Sequence, residues 1–437
     1  MSGTSVTGAA GGGHMARGQA LTVALLVAGY AGYYLCRSNL SVCMPLIIGD
    51  LTRRGLNADI ARVRLGTLAS FGVLAYAVGK FPSGNLADFF GGRRNFCAGM
   101  AGSIVFTLWF AAAGSLPMFT VAWMGNRLVQ SLGWAGAVKI TSKWFHFRYY
   151  GTVMAAISLS YLFGDALARQ FMAALIARGL GWRSVFVAGA LVLAVLLAAC
   201  TWLLRESPVE IGEPEPSVSP GNLFRQDRDV APRRLATLLG PFLRSRVFWL
   251  ACALSLGTTI LRETFGLWTP TYFTQALGMT AAEAASNSAW FPFFGGLSVM
   301  LCGYLSDRLG GGGRAALMLG GLGLATGALL VLGAGWLPAS RIWPVILVAA
   351  VAFLTIGPYS FLAGAMALDF GGKQGSGTAS GLIDGVGYLG GVLSGDSVAR
   401  LSIRFGWNGA FLFLAAIACL SSVAAGALLR HERDAHV

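Results

Sequence analysis

Apolar runs about as long as a bilayer is thick recur along almost the whole chain. They mark twelve candidate spans, at about 19–48, 62–87, 95–114, 117–142, 150–177, 184–204, 247–276, 284–306, 314–335, 341–368, 376–402 and 407–429. A helix crosses the hydrocarbon core in about 20 residues. No water is present there to satisfy backbone groups, so such runs fold as helices. Only 11% of the 437 residues are charged, against about 25% in a soluble domain. The expected fold class is an all-α membrane protein with twelve transmembrane helices. The 61 glycines suit it, because small residues let helix backbones approach closely.

The net charge of +14 would point to nucleic acid in a soluble protein. Here lysine and arginine concentrate in the segments on one side, both tails included, so the excess reads as topology and no nucleic-acid partner is expected. That side is cytoplasmic and holds both termini. The polar stretch 205–246 divides the chain. The expected organisation is a disordered tail 1–18, a six-helix bundle 19–204, a cytoplasmic linker 205–246, a second six-helix bundle 247–429 and a tail 430–437. Residues 233–239 read equally as a short interfacial helix or as solvated chain. Residues 1–18 lack the apolar core of a signal peptide, and either Met1 or Met15 fits the start.

Arg37 lies inside the first span, where a guanidinium costs at least about 2.5–3.5 kcal/mol. Arg262 occupies the matching place in the seventh span, 225 residues later. The loop pattern Gly84-Asn85-Leu86-Ala87-Asp88 with Arg93-Arg94 returns as Gly303-Tyr304-Leu305-Ser306-Asp307-Arg308, an offset of 219. Gly181-Trp182 returns as Gly406-Trp407, an offset of 225, and Gly151-Thr152 as Gly377-Thr378, an offset of 226. Similar offsets indicate duplication. The bundles are therefore expected to be pseudo-symmetric, with a site between them near the midplane and the two arginines facing across it. Tyr30, Tyr34 and Arg37 share one helix face, and Tyr76 and Lys80 share another. An arginine fork grips an anionic oxygen pair, so the ligand expected is a small anion.

Those motifs carry a family resemblance. The Gly-x-x-x-Asp-(x)n-Arg loops resemble the signature of the major facilitator superfamily. Tyr30-x-x-x-Tyr34-Leu-x-Arg37, Tyr76-x-x-x-Lys80-Phe81, Gln130-x-x-Gly133-Trp134, Leu261-Arg262 to Trp268-Thr269-Pro270, Gly357-Pro358 and Gly387-Tyr388-Leu389-Gly390-Gly391 resemble its organophosphate:inorganic phosphate antiporters. The resemblance implies a monomer in the inner membrane of a bacterium, exchanging an organophosphate for inorganic phosphate by alternating access. It implies phosphate clamped by Arg37 and Arg262, with Tyr30, Tyr34, Tyr76, Lys80 and Tyr388 beside them. Two other readings stay open: a membrane sensor for an organophosphate, and a proton-coupled transporter of a carboxylate or other anion.

Three intramembrane carboxylates are coupling candidates: Glu263, Asp165 and Asp384. Asp165 and Arg169 are four apart and can satisfy each other. Glu263 lies about 100° around the helix from Arg262 and reads either as pairing with a neighbouring helix or as carrying a proton. Arg127 reads as a structural contact. Asp88, Arg93, Arg94, Asp307 and Arg308 are expected to gate through salt bridges between the halves. No catalytic triad, metal-ligand spacing or phosphate-binding loop occurs in the sequence. The chain is accordingly read as no enzyme, without metal or cofactor.

Overall fold

The computed structural model describes residues 8–145, 150–214, 216, 242–309, 313–336, 338 and 340–434. Twelve spans follow in order, but several are interrupted. The first consists of α1 (Gly8–Tyr33), a 3-10 turn (Tyr34–Cys36) and α2 (Asn39–Arg53). Then come α3 (Ala58–Phe90), α4 (Gly92–Ala112), α5 (Leu116–Trp144), α6 (Tyr150–Ala177) and α7 (Trp182–Leu203). The second half begins with α8 (Arg246–Leu277), then the pair α9 (Ala281–Ser288) and α10 (Trp290–Leu309). It continues through α11 (Gly313–Ala334), α12 (Ile342–Phe361), a π-helical turn (Leu362–Met366) and α13 (Ala367–Asp434). α13 is 68 residues long and is turned at Gly406, whose φ of +69° strains any residue with a Cβ. It therefore supplies the last two spans.

Among the described residues, eight segments are long and apolar enough to cross a membrane. The expected spans 117–142, 150–177 and 247–276 fall outside that set. They carry Arg127, the pair Asp165 and Arg169, and the pair Arg262 and Glu263, whose charge lowers their hydropathy. Among the described residues, four helix-interior prolines, Pro45, Pro82, Pro270 and Pro358, sit in spans that carry site residues, where a missing N–H weakens the ladder.

The N-terminal tail departs from expectation. Helix α1 begins at Gly8, inside the segment expected to be disordered. Gln19 Nε2 donates to the Trp144 carbonyl at 2.9 Å and holds that end of α1 against α5. Most of the linker, including 233–239, lies outside the described residues.

Apolar side chains gather in separate clusters. One belongs to the first half and includes Leu26, Phe96 and Trp144. Another fills the second half around Phe248, Met318 and Leu414. A third joins the halves, packing Ile47, Leu65 and Phe186 with Trp268 and Ala399. This joint cluster lies at the end of the molecule that bears the α2–α3 turn, here the loop end; the opposite end bears the linker.

Candidate functional site

The first span breaks where its arginine sits. The 3-10 turn at Tyr34–Cys36 interrupts the helix, and Arg37 and Ser38 link it to α2. Arg262, by contrast, lies in the unbroken middle of α8. Both arginines reach the same space between the halves. A cavity of about 520 Å³ extends from them toward the linker end, and a smaller one of about 120 Å³ lies on the loop side. Arg37, Arg262, Tyr34 and Tyr161 line both.

All seven residues expected to bind substrate line the larger cavity: Tyr30, Tyr34, Arg37, Tyr76, Lys80, Arg262 and Tyr388. The Arg37 guanidinium stands 5.3 Å from the Tyr34 ring centre and 4.6 Å from that of Tyr76. Tyr76 packs on Tyr388 across the halves, with ring centres 5.3 Å apart. Arg262 Nη2 donates to Tyr388 OH at 3.3 Å, and its guanidinium lies 4.8 Å from the Tyr359 ring centre. Arg262 Nε is buried and has no hydrogen-bond partner among the described residues. Buried donors are normally paired, so this one is an exception. Tyr30 is held by Trp134, ring centres 5.3 Å apart.

The carboxylates are each ion-paired. Glu263 Oε1 accepts from Arg262 Nη2 at 2.6 Å. It therefore meets its own sequence neighbour rather than another helix; two long side chains easily close a 100° angular gap. Asp384 Oδ2 accepts from Lys80 Nζ at 2.6 Å, joining α13 to α3 across the halves. Asp165 accepts from Arg169 Nε at 3.0 Å, as the i, i+4 spacing predicts, and also from Ser38 Oγ.

Arg169 also bridges the halves. Its Nη1 donates to Ser288 Oγ at 3.0 Å and its Nη2 to the Gly266 carbonyl at 2.8 Å. Ser41 Oγ donates to the carbonyls of Gly266 at 2.7 Å and Leu267 at 2.8 Å. Thr67 Oγ1 donates to Asp396 at 2.6 Å. Gly66 faces Gly395 so closely that a Cβ on Gly66 would come within 2.8 Å of the Gly395 carbonyl oxygen. All these contacts close the loop end.

The gating candidates at the linker end look different. The side chains of Asp88 and Asp307 lie outside the described residues. Arg93 donates to the Thr201 carbonyl within its own half, Arg94 is exposed, and Arg308 stacks on Tyr304 of its own helix at 4.5 Å. Glu206 is the organising group here, and the motif reading missed it. It accepts from the Gly92 and Arg93 backbone N–H groups at 2.9 and 2.7 Å and from Lys143 Nζ at 2.9 Å. Burial alone would raise its pKa, but these three donors outweigh burial and hold the pKa below the ordinary glutamate value.

Tyr161, Trp134 and Tyr359 also line the larger cavity and were not singled out as binding residues. Trp134 and the Gly357-Pro358 pair before Tyr359 stood within recognised motifs, which was the available signal. Arg127 lines the smaller cavity, 4.8 Å from the Tyr76 ring centre.

The chain resembles proteins of known role along most of its length. It is 26% identical to a glycerol-3-phosphate transporter of Bacillus subtilis, covering 90% of this chain and 88% of that one. It is 29% identical to the membrane sensor protein UhpC of Salmonella typhimurium, with the same coverage. Its fold matches a bacterial homologue of the human lysosomal transporter Spinster, solved in an inward-facing, unoccupied conformation. The TM-score is 0.77 at 14% identity, over 95% of this chain and 98% of the other, a likeness of fold alone. The family model described as Major Facilitator Superfamily matches residues 26–395, more than half of the protein. With two helical bundles enclosing a cavity and this match across both, the chain belongs to the Major Facilitator Superfamily.

Proposed function

We propose that the protein is a secondary active transporter of a small organic anion, an organophosphate exchanged for inorganic phosphate. The observation that carries this reading is the placement of Arg37 and Arg262, one from each half, on the wall shared by two cavities. A phosphate between them would draw the halves together, and its oxygens suit the guanidinium forks. The named relatives, one a glycerol-3-phosphate transporter, support phosphate as the recognised group.

Transport follows from alternating access. With the linker end facing the cytoplasm of a bacterium, the closed loop end makes this conformation open inward. An anion enters beside Lys80 and Tyr388 and reaches the arginines. Rocking then breaks the Ser41 and Arg169 contacts and opens the loop end. The Lys80–Asp384 and Arg262–Glu263 pairs limit the uncompensated charge while the site is empty. The protein acts as a monomer in the lipid bilayer, and Asp88 and Asp307 steady the linker end when it closes. Counterflow in proteoliposomes loaded with phosphate tests the reading. Organic phosphates added outside should drive labelled phosphate out, and no exchange with any of them would overturn it.

A second reading, an organophosphate sensor, is favoured by the likeness to the sensor protein. It requires binding without measurable uptake. A third, proton-coupled carriage of a carboxylate or other anion, is favoured by Glu263, Asp165 and Asp384 at the cavities. It requires a change of internal pH when substrate is added.

A further inference from the structure

The charges around the two cavities do not cancel. Five cations line them: Arg37, Lys80, Arg127, Arg169 and Arg262. Three carboxylates face them, and each is already taken: Asp384 by Lys80, Glu263 by Arg262, Asp165 by Arg169. Arg37 and Arg127 remain. Among the described residues neither forms an ion pair. Both instead lie against Tyr76, at 4.6 and 4.8 Å from its ring centre. A ring quadrupole attracts a cation but neutralises no charge. Arg127 is only 3% exposed, so its charge has lost most of its water. Two such guanidinium groups held beside one ring repel each other until an anion arrives.

We propose that Arg127 is a specificity-determining residue of the anion site: with Arg37 it sets an excess of two positive charges that selects dianionic over monoanionic oxyanions. The inference rests on the organophosphate reading above. A phosphate monoester carries about −1.5 to −2 at neutral pH and matches the excess. A sulfate monoester has the same tetrahedral shape but one charge, and it leaves one guanidinium uncompensated. Arg127 acts from the smaller cavity on the loop side and Arg37 from the wall that both cavities share, so the excess lies at the arginine layer.

The test is competition by glucose 6-phosphate and glucose 6-sulfate against labelled inorganic phosphate at pH 8, on the full chain, in the parent protein, Arg127→Gln and Arg127→Lys. The parent is expected to prefer the phosphate ester by tenfold or more. In Arg127→Gln the ratio should fall to about threefold or less, because loss of one positive charge weakens a dianion about twice as much in free energy as a monoanion. Arg127→Lys should keep the preference, since it keeps the charge. An Arg127→Gln ratio equal to the parent's, whether both affinities fall or neither does, overturns the assignment. So does a parent protein that binds both esters equally, a result independent of whether the variant folds. Failure of the parent to bind inorganic phosphate at all overturns the organophosphate reading, and this inference with it.

Discussion

Lys80 and Asp384 meet at 2.6 Å although 304 residues separate them, one from each half of the chain. The pair sits on the wall of the larger cavity, so each partner influences what the other offers an anion. Asp384→Asn releases an ammonium into the site, and phosphate affinity should rise about threefold to tenfold, equivalent to about 0.7–1.4 kcal/mol. Lys80→Ala leaves a bare carboxylate and should lower affinity by at least as much. Equilibrium binding of labelled phosphate reads both. Losses of similar size in the two variants would assign the pair to scaffold alone.

Arg37→Lys and Arg262→Lys should each reduce exchange by about tenfold or more. A lysine retains the charge but presents a point in place of a planar fork. Arg262→Lys also removes the unpartnered Nε donor. Exchange in proteoliposomes, normalised to reconstituted protein, is the measurement. Near-parental rates in either variant would remove the clamp.

Gly395→Val should block closure of the loop end, because a side chain there meets the Gly66 carbonyl and Ser70. The variant should label readily at cysteines introduced on that side and should no longer exchange. Asp88→Asn and Asp307→Asn should shift labelling toward the opposite pattern, with phosphate binding kept within about threefold. Binding abolished with labelling unchanged would count against their gating role.

Glu206 gives the linker end a pH signature. Its depressed pKa means that the folded state favours the ionised form. The resulting stability is complete above the ordinary value of 4.5 and is lost as pH falls through the native value. Glu206→Gln should therefore unfold at lower temperature than the parent near pH 7, and the difference should close as pH falls from 4.5 through the depressed native value. A constant difference across that range would show that the carboxylate charge is irrelevant.

Glu263→Gln separates coupling from structure. As a proton carrier, Glu263 is expected on removal to abolish the response to an imposed pH gradient while exchange persists. Exchange by the parent protein that ignores such a gradient would dismiss Glu263, Asp165 and Asp384 together as carriers.

How much of this was legible in the sequence depended on the range of the relationship. Tyr30, Tyr34 and Arg37, or Tyr76 and Lys80, are set by helical period, and the structure brings all five to one cavity. The duplication predicted that Arg262 would join them. Lys80–Asp384 was out of reach, since no local pattern relates positions that only the packing of α3 on α13 unites. Arg127 was undervalued for the opposite reason. It repeats no motif and lies in a helix where the nearby polar residues Asn126 and Gln130 make buried structural bonds. Only the count of pairs around the finished cavities sets it apart. The break of the first span at Arg37 was also unannounced, because Tyr34-Leu35-Cys36 contains neither glycine nor proline.

The closed end has a chemical character that bears on energy and medium. Ser41 and Arg169 grip the carbonyls of Gly266 and Leu267 and the hydroxyl of Ser288, all neutral acceptors. A bond between neutral groups is worth roughly 1 kcal/mol net, and one made by a charged guanidinium about 1.5–3 kcal/mol. Reversing a 1:99 population takes about 5.5 kcal/mol, so a handful of such bonds is of the size that one bound anion can outweigh. Ionic strength screens attraction between exposed charges, yet it has little grip on a hydroxyl resting on a peptide carbonyl. Occlusion should therefore hold steady across dilute and salty surroundings, while capture of the anion, which is charge-driven, should weaken as salt rises.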